Sequence, residues 1–136
     1  MGKDTDIVVI GGMRTPMSSF GGTLKAYMSY ELGKIAIEGV LARAGIAQDE
    51  IDEAMGGSTR QAGSGLNPVR TAVRMAGLGA GVPAVTINNA CPSSMKALIY
   101  TAQNIALGEI RTGMIGGMES MSNIPYLVKG IRWQGL

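Results

Sequence analysis

Thr86-Ile87-Asn88-Asn89-Ala90-Cys91-Pro92-Ser93-Ser94-Met95 runs a β-branched segment straight into a helix, and the chain's one thiol sits at the junction. Pro83 to Asn88 reads as a strand. From Pro92 to about Leu107, Met95, Leu98, Ile99, Ala102, Ile105 and Ala106 recur at helical spacing, and Gly108 closes the helix. A helix N-terminus carries unpaired N–H groups and a positive partial charge. Such a place favours thiolate over thiol. The same amides can hold a carbonyl oxygen as it becomes an oxyanion. Pro92 gives up an N–H that the helix would not use. By position alone, the commoner reading of Cys91 is a small, inert buried hydrophobe.

Outward from this junction, strands and helices alternate. Ile7-Val8-Val9-Ile10 is short, β-branched and followed by Gly11-Gly12, which predicts a buried strand. Ser29 is placed to cap a helix from about Tyr30 to Ala44, with Gly45 as its stop. Asp49 to Asp52 suggests a helical turn, and Glu53 to Gly57 a weak strand. Asn67 as cap, Pro68 at the first position and Gly77 at the end sign a second helix. Thr112 to Gly117 is a last strand, with loop from Met118 onward. The order β-α-β-α-β-α-β implies an α/β fold with a mainly parallel sheet and helices on its faces. Ligands in such folds gather at the C-terminal ends of strands, where Cys91 lies.

Composition narrows the function classes. The chain has 136 residues, 46% of them hydrophobic and 16% charged, which fits one domain with a core and excludes a disordered tail. The net charge is +2 with no basic run, so nucleic acid is not an expected partner. No apolar stretch reaches the length of a membrane span. The start resembles a myristoylation signal only weakly, because Asp6 stands where Ser or Thr is needed after Gly2. One cysteine cannot form an internal disulfide, which leads to the expectation of a reducing, cytoplasmic setting. No metal-ligand set can be assembled, and histidine is absent altogether. Any histidine base must therefore come from elsewhere.

The remaining candidates read as structure. Gly77-Leu78-Gly79-Ala80-Gly81 looks like a phosphate loop but follows a helix and precedes a strand, the reverse of a dinucleotide turn. Gly116-Gly117 either admits a ligand to the backbone or ends a strand. Met114, Met118 and Met121 are expected to pack. Arg14, Glu31, Lys34, Arg60, Arg70, Arg74 and Glu119 are candidates for surface or structural charge pairs.

Several pieces together carry a resemblance: Arg14-Thr15-Pro16, Phe20-Gly21-Gly22, Gln61-Ala62-Gly63 through Asn67-Pro68-Val69-Arg70, Asn88 to Cys91, and Gly116-Gly117-Met118-Glu119-Ser120-Met121-Ser122-Asn123-Ile124-Pro125-Tyr126. In order and spacing they resemble the N-terminal half of the thiolase family, over about Ile7 to Val128. The resemblance implies the first half of a two-half fold, with residues 1–118 as the α/β domain and 119–136 opening the loop region over the coenzyme A site. It implies an acyltransferase, most simply an acetyl-CoA C-acetyltransferase. Cys91 matches the nucleophile that takes an acyl group, with its own N–H in the oxyanion hole. Acyl-CoA thioesters are the implied substrates, with no permanently bound cofactor. A homodimer or homotetramer is implied, with the loop around Gln61–Asn67 near a subunit interface and the strand around Val85–Asn88 paired across a dimer axis. The family's second half supplies a histidine and another cysteine, in cis or in trans. Ser94 stands where the family usually has Gly. The alternatives are a degradative 3-ketoacyl-CoA thiolase, a sterol-carrier-type homologue, or a non-catalytic scaffold subunit, which the absence of histidine would suit.

Overall fold

In the computed structural model, residues 6–134 are described; Gly2, and with it the myristoylation-like start, lies outside them. Three strands form one parallel sheet: β1 (Glu53–Gly57) in the centre, β2 (Ala84–Ile87) on one side and β3 (Gly113–Gly117) on the other. The helices are α1 (Ser29–Ala44), α2 (Pro68–Met75), α3 (Ser93–Ala106) and the short α4 (Ile131–Gln134). Single 3-10 turns lie at Gln48–Glu50 and Met121–Asn123. The α/β class and the parallel sheet expected from the sequence are what the chain forms.

The strand expected at Ile7–Ile10 does not form. These residues make no ladder with the sheet, and Val9 is 79% exposed. The segment lies instead across an apolar cavity of about 670 Å3 that it shares with α1, α3 and the β3 edge. Its continuation packs on α1, where Met13 meets Gly39 and Gly11 meets Ala44. A strand with apolar side chains on both faces needs cover on both faces. Among the described residues this one lacks it.

The main core lies where α1 and α2 meet one face of the sheet. Ala84, Ala54 and Met114 are register partners across that face. They pack with Val69, Val73, Leu41 and the fully buried Leu78. The start of α2 is tied to β2 as well as capped. Asn67 Oδ1 accepts from the Arg70 amide at 2.9 Å and from the Thr86 hydroxyl at 2.6 Å, and its Nδ2 donates to the Ala84 carbonyl at 2.9 Å. The Gly77–Gly81 loop is a helix stop, as its context predicts. Gly77 has φ +90°, and the guanidinium groups of Arg70 and Arg74 donate to the carbonyls of Val82, Ala80 and Leu78.

Ser29 does not cap α1. The helix begins at Ser29 itself, whose buried hydroxyl donates to the Ser64 hydroxyl at 3.2 Å. The capping contact comes from Glu31, whose carboxylate accepts from the Met28 amide at 2.7 Å. The candidate charges mostly serve backbone in this way. Among the described residues the ion pair present is Lys34–Glu38, at 3.2 Å on the surface of α1.

Helix α3 covers the other face, and not with its apolar stripe. It buries Ser93, Ala97 and Thr101, while Met95 and Ile99 are exposed and Leu98 lines the apolar cavity, partly exposed. The reason lies in the strands beneath. A Cβ on Gly57 would come within 2.5 Å of the Ser94 amide nitrogen, one on Gly117 within 2.8 Å of Ser94 Cβ, and one on Gly113 would strike Thr101 Cγ2. A floor of glycines admits a helix only along a line of small side chains. Gly116-Gly117 thus lies inside β3, and Gly117 makes room for α3. Met114 and Met118 pack against the core as expected, whereas Met121 is half exposed.

At the N-terminal edge of the sheet, the Asp52 carboxylate accepts from the amides of Arg111 at 2.7 Å and Thr112 at 2.9 Å. The Thr112 amide foremost, then that of Arg111, holds this carboxyl below the usual aspartate range. A depressed folded-state value stabilises the fold above the unfolded-state value, and that stabilisation is lost as pH falls through the folded one. Denaturation midpoints measured against pH should separate Asp52→Asn from the parent at neutral pH and converge in acid. Gly57→Ala should cost about 1–3 kcal/mol, read as a lowered unfolding midpoint, because backbone rather than a flexible side chain must move.

Candidate active site

All three strands deliver their C-terminal ends to one place. β2 leads into Asn88-Asn89-Ala90-Cys91, β1 into Ser58-Thr59-Arg60, and β3 into Met118-Glu119. The ladder continues just past the strands, with the Ser58 amide donating to the Ile87 carbonyl at 3.1 Å and the Met118 amide to Gly57 at 2.9 Å. Cys91 is exposed.

The chain turns sharply before the thiol. Ala90 has φ +54°, and it is the one non-glycine residue with positive φ among those described. This region costs an L-residue with a Cβ about 1–2 kcal/mol, so something must hold it there. The Ala90 amide donates to Asn88 Oδ1 at 3.1 Å, an Asx turn. Its carbonyl accepts from the Ser93 amide at 3.1 Å, the Ser93 hydroxyl at 2.5 Å and the Thr59 hydroxyl at 3.3 Å. The Ser93 hydroxyl also accepts from the Asn89 amide at 2.8 Å. Pro92 occupies the cap position of α3, and Cys91 immediately precedes it. Among the described residues none accepts a hydrogen bond from the Cys91 amide.

A second layer fixes this turn. Asn88 Nδ2 donates to the Thr59 carbonyl at 3.0 Å. The Thr59 amide donates to Glu119 Oε2 at 2.8 Å, and the Arg60 amide to Glu119 Oε1 at 3.1 Å. Beyond Glu119 the chain is tied to the Gly21–Tyr27 loop. The Gly21 amide donates to the Ser122 hydroxyl, the Ser120 hydroxyl to the Tyr27 carbonyl, and Asn123 Nδ2 to the carbonyls of Lys25 and Tyr27. Pro125 packs over Gly63.

Cys91 therefore stands where its sequence context placed it. The residues that set its backbone are Asn88, Ala90, Ser93, Thr59 and Glu119. Of these, Asn88 alone carries a readable local signal, its tendency to form Asx turns. Ala90 has none, since alanine ordinarily avoids this conformation. The large apolar cavity does not include Cys91, Asn88, Ala90, Ser93 or Thr59; of the supports, Glu119 alone lines it. Among the described residues no His, Cys, Asp and Glu side chains gather as metal ligands would.

Residues 7–135 match the family described as thiolase, N-terminal domain. The chain belongs to the thiolase family. It is 43% identical over 123 residues to the mitochondrial acetyl-CoA acetyltransferase of Bos taurus and 42% identical over 123 residues to that of Homo sapiens, in each case covering 90% of this chain. It is 44% identical over 121 residues to acetyl-CoA acetyltransferase B, mitochondrial, of Xenopus laevis, covering 89% of this chain. The chain spans 29% of the length of each of these relatives.

These relatives correct the cytoplasmic expectation, since all three are named as mitochondrial enzymes. A lone free thiol separates reducing from oxidising compartments; it does not tell one reducing compartment from another. No described helix is long and apolar enough to cross a membrane.

The turn at Ala90 can be tested by itself. Ala90→Val should lower stability by about 1–3 kcal/mol in thermal melts, because a β-branched residue resists positive φ. Ala90→Gly should melt no lower than the parent.

Proposed function

We propose that this chain is the nucleophile-bearing part of a thiolase-type acyltransferase, most simply an acetyl-CoA C-acetyltransferase, and that Cys91 carries the acyl group. The observation that supports this reading is an exposed thiol beside the N-terminus of α3, on a backbone turn held in a sparsely populated conformation. Backbone strain of this kind persists where surrounding contacts over-determine it, and it concentrates at functional sites.

In the proposed reaction the Cys91 thiolate attacks the carbonyl carbon of an acyl-CoA. The carbonyl oxygen gains negative charge and is met by the Cys91 amide, and the thiolate of coenzyme A leaves. A second acyl-CoA, deprotonated at its α-carbon, then attacks the acyl-cysteine, forming the carbon–carbon bond of a 3-ketoacyl-CoA and releasing Cys91. Thiolysis is the reverse. The proton transfers need a histidine and a second cysteine, which the family's second half supplies. Acyl-CoA thioesters are the substrates, with no cofactor held permanently.

Two further proposals come with this reading. The segment from Glu119 onward leads into the region covering the coenzyme A site. The protein assembles as a homodimer or homotetramer, with the outer edge of β2 at a dimer axis and the Gln61–Asn67 loop near the interface.

Incubating the full-length natural protein with acetyl-CoA should leave an acetyl group on the peptide containing Cys91. Cys91→Ala should abolish that adduct and turnover while preserving the far-UV circular dichroism spectrum. Residues 1–136 expressed alone should not complete turnover. Thiolysis of a ketoacyl-CoA by that segment would overturn the need for a second half. Iodoacetamide should label Cys91 faster than an ordinary free thiol near pH 7, and slow labelling would favour a non-catalytic scaffold.

A further inference from the structure

We propose that Glu119 is a positioning residue for Cys91, acting through Thr59 to hold the turn at Ala90. This rests on the reading of Cys91 as the nucleophile. The path is continuous. The Glu119 carboxylate grips two consecutive amides, those of Thr59 and Arg60. The residue so fixed reaches the catalytic turn twice, by its carbonyl to Asn88 Nδ2 and by its hydroxyl to the Ala90 carbonyl. Asn88 in turn accepts from the Ala90 amide. Ala90 is thereby held at both its amide and its carbonyl, and Cys91 is the next residue.

Anchoring of its own segment is not what this carboxylate uniquely does. Ser120, Ser122 and Asn123 fasten that segment to the Gly21–Tyr27 loop without it. What depends on Glu119 is the loop after β1. An ionised carboxylate is an acceptor at both oxygens, which suits two amide donors side by side. An amide side chain of the same shape would turn an N–H2 group towards one of them.

Asp52 provides an internal control. It too receives two consecutive amides from a neighbouring loop, but at the opposite edge of the sheet from Cys91. A purely structural carboxylate tie and a positioning one therefore make different forecasts in the same protein.

The test is the rate of iodoacetamide alkylation at neutral pH, read on the Cys91 peptide of the full-length protein by mass spectrometry, alongside kcat and KM. Glu119→Gln should slow alkylation about tenfold and lower kcat by roughly ten- to hundredfold with KM little changed, as misplacement of a reacting group does. Asp52→Asn should leave alkylation unchanged. Thr59→Val should slow alkylation, and Thr59→Ser, which keeps the hydroxyl, should restore it. Alkylation of Glu119→Gln within about twofold of the parent, or an equal loss in Asp52→Asn, overturns the proposal. Should Glu119→Gln fail to fold, the threonine pair decides: undiminished alkylation in Thr59→Val overturns it. Slow alkylation of the unsubstituted protein instead sinks the nucleophile reading, and this inference with it.

Discussion

The close approach of α3 to the sheet is the constraint on which the site depends. Gly57 and Gly117, side by side in the register of β1 and β3, leave no side chain between the strands and the first turn of the helix. The Ser94 amide would lie only 2.5 Å from a Cβ on Gly57. A helix seated this low brings its N-terminus to the C-terminal ends of the strands, and the connection from β2 must turn abruptly to reach it. Ala90 takes that turn, and Cys91 follows at the surface.

The same constraint explains why α3 is oriented as it is. Ser93, Ala97 and Thr101 are small enough for a glycine floor; Met95, Leu98 and Ile99 are not. Local hydrophobicity would send the longer apolar residues inward. Steric fit reverses the choice, so an apolar face is left on the outside of this chain, which spans 29% of the length of its relatives. The absent strand at Ile7–Ile10 has a kindred cause: residues suited to burial on both sides, with cover on one.

The segment after β3 gains its meaning from tertiary contacts. From Met118 to Pro125, nearly every polar or bulky side chain has a partner far away in sequence. Met118 lies against Gly33, Glu119 on the Thr59 and Arg60 amides, Ser120 and Asn123 on the Tyr27 carbonyl, and Pro125 over Gly63. Three loops are thus joined on the side of the sheet where Cys91 emerges. A string of short polar residues that looks like loop in one dimension is a clasp in three.

The residues alone determined the α/β class, the parallel order, the caps at Asn67 and Gly45, and the place of Cys91 at a strand-to-helix junction. Those are local matters of periodicity, φ preference and helix ends, which a few neighbouring residues decide. Tertiary structure decided which face of α3 is buried, that Ile7–Ile10 stays out of the sheet, that Glu31 rather than Ser29 caps α1, and that Ala90 adopts positive φ. It also decided that Glu119, readable in sequence only as a charge seeking a partner, holds two backbone amides next to the site. Each of these depends on what lies across a gap of tens of residues: a glycine with no Cβ, a carbonyl awaiting a donor, a face without cover. Sequence spacing carries no record of such partners, because they meet only when the sheet brings its strand ends together.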